Sequence, residues 1–179
     1  MSLQSSFDAL TLGNITASLV VDSQGSAVDP SGTSKGIGNQ TDFELLVYLR
    51  RRCEVVLTSG LTALKEHYRM PKGADLAILT TRAERDFGIP AGEASLLFMS
   101  GGYHASLKEL ADLGYSRVHT EFGPTGFTAL VAADSVDALL SSTSEAGIKA
   151  FCDSQKLRPE ATLQINDLHI ARFTGRGKG

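Results

Sequence analysis

The sequence is short of cysteine, of basic excess and of long apolar runs, and each shortage removes a class of protein. Its two cysteines, Cys53 and Cys152, cannot build a disulfide framework. A chain of this length does not need one, because roughly 70% of its unfolded surface is buried on folding. No apolar run approaches the length of a membrane span, and the start Met1-Ser2-Leu3-Gln4 lacks the charged and apolar regions of a secretory signal. A cytoplasmic protein with no membrane partner is expected. Lysine and arginine number 17 against 20 acidic residues, a formal charge of -3, so the surface is poorly suited to neutralising nucleic-acid phosphates. The closing cations Arg172, Arg176 and Lys178 are few and glycine-interleaved, and read as a solvated end. Internal repeats, low-complexity tracts and linkers are missing too. One domain over residues 1–179 is expected, with 1–13 a loosely ordered N-terminal segment.

Chemical signatures are also sparse. His67, His104, His119 and His169 are scattered rather than spaced as ligands, so no metal site is expected. There is neither a nucleophile elbow nor a Walker loop. Hydride transfer remains open, since it asks the protein for positioning more than for a reactive side chain.

What is present is an alternation of strand and helix patterns. Asn14 to Val21 reads as a strand, and the Gly/Ser-rich stretch from Ser23 to Asn39 is long enough to be a functional loop. Thr41-Asp42-Phe43-Glu44 has the spacing of a capping box, and Asp42, Leu45, Leu46, Leu49 and Cys53 then share one helical face. Arg50, Arg51 and Arg52 sit where the helix dipole favours cations and read as a solvated face, and Cys53 as a small core residue. Val55-Val56-Leu57 is a buried strand, Leu61 to Arg69 a helix, and Leu76 to Thr80 and Ser95 to Met99 are strands. A helix from His104 stops at Gly114, Arg117 to Thr120 is a strand, a helix runs through Ala132, and Val136 to Ser141 is a strand. Ala161 to Ile165 and Leu168 to Phe173 alternate around Asn166-Asp167 as a closing hairpin. The pattern predicts a three-layer αβα domain with a mostly parallel mixed sheet and an antiparallel C-terminal hairpin.

In such sheets ligands collect at the carboxyl ends of the strands. Small residues stand at three of these points, Ser59-Gly60, Ser100-Gly101-Gly102 and Gly123-Pro124-Thr125-Gly126, where backbone amides at a helix start can meet a phosphate. Any one of them reads more readily as a plain turn, and three on the same edge bring the two readings level. A fourth strand end, Thr80-Thr81-Arg82, offers hydroxyls and a guanidinium to a phosphate monoester, or else Arg82 simply pairs with Glu84.

With these residues in order, the chain from about Asn14 to Phe173 resembles the C-terminal reductase domain of the bifunctional riboflavin-biosynthesis proteins (the RibD C-terminal family), most closely its free-standing actinobacterial-type members. The resemblance runs through Gly32-Thr33-Ser34, Asp42, Leu49-Arg50, Val55-Val56-Leu57, Thr62 and Glu66-His67-Tyr68 to Thr120-Glu121-Phe122-Gly123-Pro124-Thr125. It implies a dihydrofolate-reductase-like fold and an NADPH-dependent reductase of a phosphorylated ribosylamino-pyrimidine or a related pterin, working as a homodimer. Carried over by position, Ser59, Gly60 and Thr62 would meet the cofactor. Glu121, Gly123, Pro124 and Thr125 would line its diphosphate, and Thr81 and Arg82 its 2′-phosphate. Thr33, Ser34, Asp42 and Gln24 would face the substrate. Three positions depart from the pattern: Leu61 and Phe122 stand where the family keeps glycine, and Gln24 where it keeps a carboxylate. They imply an alternative, a relative that binds a nucleotide or flavin-pathway metabolite without turnover.

Overall fold

The structure, a computed structural model, describes residues 2–83 and 86–176. Eight strands form one sheet, β1 (Ile15–Val20), β2 (Val55–Ser59), β3 (Asp75–Leu79), β4 (Leu96–Met99), β5 (Val118–Thr120), β6 (Asp137–Ser142), β7 (Ala161–Ile165) and β8 (Leu168–Phe173). Their order across the sheet is β4-β3-β2-β5-β1-β6-β8-β7. All neighbours from β4 to β6 are parallel, while β8 runs antiparallel to both β6 and β7.

Burial on both faces explains the unbroken apolar runs. Val55 and Leu57 of β2 face one core and Val56 the other, the period-two alternation of a pleated strand. The first face is covered by α4 (Tyr103–Asp112), α5 (Pro124–Ala132) and α6 (Glu145–Gln155), through residues such as Leu110, Phe127 and Phe151. The second is covered by α1 (Leu3–Asp8), α2 (Gln40–Arg52) and α3 (Gly60–Lys65), through Phe7, Leu45, Leu49 and Ala63. These are the three layers, and the chain ends in the expected hairpin.

Several local expectations are corrected. Residues 1–13 were expected to be loosely ordered, yet Phe7, Leu10 and Leu12 are buried, and Tyr48 of α2 packs its ring on Phe7 and donates to Asp8 at 3.1 Å. Helix α2 begins at Gln40, not at a Thr41 capping box. Asn39 caps it by accepting from the Asp42 amide at 2.9 Å, while the Thr41 hydroxyl donates to Asp167 in the β7–β8 turn. Of the three arginines read as a solvated face only Arg51 is exposed. Arg52 donates to the Leu12 carbonyl at 3.0 Å, and Arg50 turns inward to Glu121.

Helix α3 ends at Lys65 rather than Arg69. His67 adopts a left-handed φ of 51°, and Tyr68 donates back to the Ala63 carbonyl at 3.0 Å. Gly114 closes α4 in the same way, with φ 97°. Helix α6, absent from the sequence reading, packs so closely on the turn after β1 that a Cβ at Gly147 would lie 1.9 Å from the Asp22 carbonyl oxygen. Only glycine fits there.

Candidate active site

The carboxyl ends of β1, β5 and β6, with α2, α3 and the 27–39 loop, enclose a cavity of about 460 Å³. It lies where the chain reverses direction across the sheet, with β1 placed between β5 and β6. Its wall carries Ser34 and Asp42 from the expected substrate set, and Thr62, Glu121, Gly123 and Pro124 from the expected cofactor set. Neighbourhood in the fold thus gathers residues that are up to 90 positions apart in the chain.

Asp42 is the carboxyl group most open to chemistry. It stands in the first turn of α2 and accepts a hydrogen bond from the Ser141 hydroxyl of β6 at 2.6 Å. Burial raises its pKa above the ordinary carboxylate range, and the Ser141 bond opposes that only in part. A carboxyl tuned upward on the wall of a mostly apolar cavity is a candidate proton donor.

Glu121 plays a different part from the diphosphate contact expected of it. Its carboxylate is 7% exposed and held bidentately by Arg50, with Nε and Nη2 each at 2.6 Å. Tyr68 also donates to it, and the Arg50 guanidinium lies 5.6 Å from the Tyr68 ring centre. Burial pushes the Glu121 carboxyl up, but Arg50 outweighs it and holds the group below its usual value. Tyr68 is driven well above the usual phenol range by burial and by the neighbouring carboxylate.

Beneath lies His119, fully buried between Thr16 Oγ1 at 2.8 Å and Ser18 Oγ at 3.1 Å. Burial lowers its pKa to about 4, so at neutral pH it is uncharged and its 3.8 Å approach to Glu121 is not an ion pair. Arg50, Tyr68, Glu121 and His119 therefore form a polar floor joining α2, the end of α3 and β5. Cys53, beside it, is a core thiol whose pKa burial lifts to about 11.

The other expected residues are placed differently. Thr33 belongs to the internal web of its own loop, which is organised around Asp29. That carboxylate accepts from the amides of Ser31, Thr33 and Gly36. The loop is fastened over the cavity by the Ser34 amide, which donates to Glu66 at 2.7 Å. Ser59 caps α3, its hydroxyl accepting from the Thr62 amide and donating to Thr62 Oγ1. Gly60 is buried against Thr80, where a Cβ would come within 2.6 Å of Oγ1. Thr81 and Arg82 are exposed on the turn after β3, off the cavity wall, and Glu84, the alternative partner of Arg82, lies outside the described residues. Thr125 is exposed in the first turn of α5, also off that wall.

Gln24 is exposed in the turn after β1, where Asp22 accepts from its amide at 2.8 Å. Neither residue reaches the cavity wall, whereas the Asp42 carboxyl does.

The two bulky departures also separate. Phe122 does not crowd the loop before α5. Its side chain is 3% exposed and packs on Tyr103 with ring centres 4.8 Å apart. Gly126 makes room for it, since a Cβ there would fall 2.5 Å from the Phe122 Cβ. Leu61, by contrast, is 63% exposed at the cavity mouth. Sequence reasoning missed Arg50, Tyr68 and Ser141. Only the Leu-Arg and Glu-x-Tyr fragments of the resemblance touched the first two.

Among the described residues no cluster of His, Cys, Asp and Glu is placed to hold a metal ion, and no helix is long and apolar enough to cross a membrane. The start of α5 is open. Gly123 caps it without a side-chain hydrogen bond, and the Thr62 hydroxyl lies 3.7 Å from where its Cβ would be. The start of α4 at Gly102 is likewise without a side-chain cap, in open space. Two such helix starts suit a diphosphate.

No family model and no curated protein matches the chain. Solved structures do. A pyrimidine reductase-like protein from Corynebacterium diphtheriae matches at 16% identity over 97% of this chain and 94% of that one, with a TM-score of 0.64. The deaminase and 5-amino-6-(5-phosphoribosylamino)uracil reductase of Thermotoga maritima matches at 13% identity over 97% of this chain and 59% of its own, with a TM-score of 0.61. Dihydrofolate reductase from Schistosoma mansoni matches at 11% identity over 91% of this chain and 97% of that one, with a TM-score of 0.53. The chain therefore has the dihydrofolate-reductase-like fold, in the form that pyrimidine reductases also take.

Proposed function

We propose that the protein is an NADPH-dependent reductase of a pyrimidine-derived heterocycle. The phosphorylated ribosylamino-pyrimidine of riboflavin biosynthesis is the candidate that the sequence resemblance names. The observation that carries this reading is Asp42, a carboxyl with raised pKa on the wall of a cavity that also meets the open start of α5.

Thr62, Gly123 and Pro124 would hold the nicotinamide end and diphosphate of the cofactor, with Arg82 and Thr81 available on the surface for its 2′-phosphate. When bound, the reduced dinucleotide supplies a hydride. The chain's own residues do the rest. Asp42 holds a proton at its carboxyl, oriented by Ser141, and passes it to a ring or imine nitrogen as that atom gains electron density. The apolar wall and the 27–39 loop exclude water from this exchange. Gln24 lies off the wall, and Phe122, although it lines the cavity, is 3% exposed and packed on Tyr103, so neither of these two departures crowds the entrance.

Titration with NADPH, with NADH as control, tests the reading. NADPH should bind more tightly, and should be oxidised in the presence of the pyrimidine intermediate. Asp42→Asn should keep NADPH binding while turnover falls by roughly a hundredfold or more. An absence of NADPH binding at millimolar concentration overturns the reading.

A further inference from the structure

His119 takes no part in the proton transfer proposed for Asp42, yet a fully buried imidazole is costly unless both ring nitrogens find partners. Both do. Strands β1 and β5 are paired with Thr16 opposite His119, and Ser18 stands two residues further along β1. Nδ1 lies 2.8 Å from Thr16 Oγ1, and Nε2 lies 3.1 Å from Ser18 Oγ. Thr16 is buried, whereas Ser18 is half-buried and lines the cavity. The ring is therefore joined to the ligand space through a single hydroxyl.

A neutral imidazole donates from one nitrogen and accepts at the other, and a hydroxyl can do either. With the proton on Nδ1, the ring donates to Thr16 and Nε2 takes the Ser18 proton. Ser18 then has only lone pairs left for an occupant. With the proton on Nε2, Thr16 donates to Nδ1, the ring donates to Ser18 Oγ, and the Ser18 proton stays free. Glu121 decides between the two. Its Oε1 lies 3.8 Å from Nε2, and its charge acts on the ring more strongly than that of Arg50 beyond it. A carboxylate oxygen repels a bare nitrogen lone pair and attracts an N–H, so the proton belongs on Nε2. Ser18 makes no other side-chain hydrogen bond among the described residues.

We propose that His119 is a positioning residue that fixes Ser18 as a hydrogen-bond donor to a carbonyl oxygen of the bound ring. The inference rests on the reductase reading for the kind of ring, and it adds a second polar contact to that of Asp42. Ser18 pairs with Leu139 of β6, and Ser141 stands two residues beyond Leu139, about 7 Å along the strand. The Ser18 donor and the Asp42 carboxyl held by Ser141 thus meet different edges of one six-membered ring. Two such contacts from different strands orient a flat ligand where one would let it turn.

Long-range proton–nitrogen correlation spectra of wild-type protein carrying isotope-labelled histidine read the tautomer directly. His119 should hold its proton on Nε2, and a proton on Nδ1 overturns the assignment. This arm needs no variant, so it stands even where a substitution at His119 fails to fold. Equilibrium binding of 5,6-diaminouracil without cofactor is the second arm. Ser18→Ala should weaken it by about tenfold, the worth of one hydrogen bond. His119→Gln can place an amide N–H where Nε2–H stood and should bind within about twofold of wild type. His119→Asn has a shorter amide that does not reach Ser18, and should lose about as much as Ser18→Ala. An unchanged Ser18→Ala, an equal loss in the Gln and Asn variants, or no binding by wild type at millimolar concentration overturns the proposal. A separate NADPH titration keeps the two ideas apart. NADPH binding with an unaffected Ser18→Ala sinks the Ser18 contact alone, and Ser18-dependent ring binding without NADPH binding sinks the reductase reading alone.

Discussion

The Arg50–Glu121 pair offers the sharpest test of how the site is held. Glu121 is nearly sealed from solvent, and its two oxygens receive both guanidinium bonds at 2.6 Å. Arg50→Met removes the cation and leaves a buried carboxylate supported by Tyr68 alone. Breaking a buried pair from one side typically costs about 3–5 kcal/mol. Arg50 itself is 30% exposed, so water can enter the vacated space, and the expected loss is nearer about 3 kcal/mol. Glu121→Gln should cost less, about 1–2 kcal/mol, because the stranded guanidinium can turn toward solvent. The double variant should then be less damaged than the sum of the singles, with a coupling of about 1.5–3 kcal/mol. Urea unfolding at neutral pH, comparing midpoints at constant slope, measures all four corners of the cycle. Additivity within about 0.5 kcal/mol would refute the pair as the element that fastens α2 to β5.

Other expectations follow from the same geometry. Phe122→Ala should destabilise by about 3–5 kcal/mol, as emptying a core site does, whereas Leu61→Ala should leave the urea midpoint almost unmoved. Gly126→Ala forces a methyl into the Phe122 side chain and should cost about 1–3 kcal/mol by the same assay. His119 has a folded pKa of about 4 against about 6.5 unfolded, so the unfolded chain binds the proton first and stability falls as pH drops from about 6.5 to 4, by at most about 3 kcal/mol. His119→Asn should flatten that part of the pH–stability curve, and an unchanged slope would assign the acid loss to another group. Asp42 has the opposite sign. Its pKa is raised on folding, so Asp42→Asn should be at least as stable as wild type at pH 7, with the advantage shrinking as pH falls through the folded pKa.

Periodicity alone determined the layers. The apolar runs at β2 and β3 are long enough to be buried on both faces, and the alternation through Ala161–Ile165 and Leu168–Phe173 is regular, so these strands and the hairpin could be read directly. A helix end was legible only where its residue type gave it away. Gly114 announced the close of α4, but the same left-handed turn at His67 was invisible, and α3 was read too long. Helix α6 was passed over although Ile148, Phe151 and Cys152 keep helical spacing; the glycine in its first turn, Gly147, is explained only by its close approach to the Asp22 carbonyl.

The site divides along the same line. Gly123 and Pro124 could be picked out because small residues at a strand end have a local reason to be there, whereas Ser34, Asp42 and Thr62 were singled out by the family resemblance alone. The roles of the larger side chains could not. Arg50 reads as a solvated cation until β5 brings Glu121 beneath it, and Phe122 reads as an obstruction until Gly126 and Tyr103 receive it in the core. The meeting of Val28, Phe43 and Leu61 on one cavity wall has no sequence signal at all. Local spacing is written in the chain because neighbours share one backbone, but which side chains meet across the sheet depends on strand order and burial, and only the folded structure decides that.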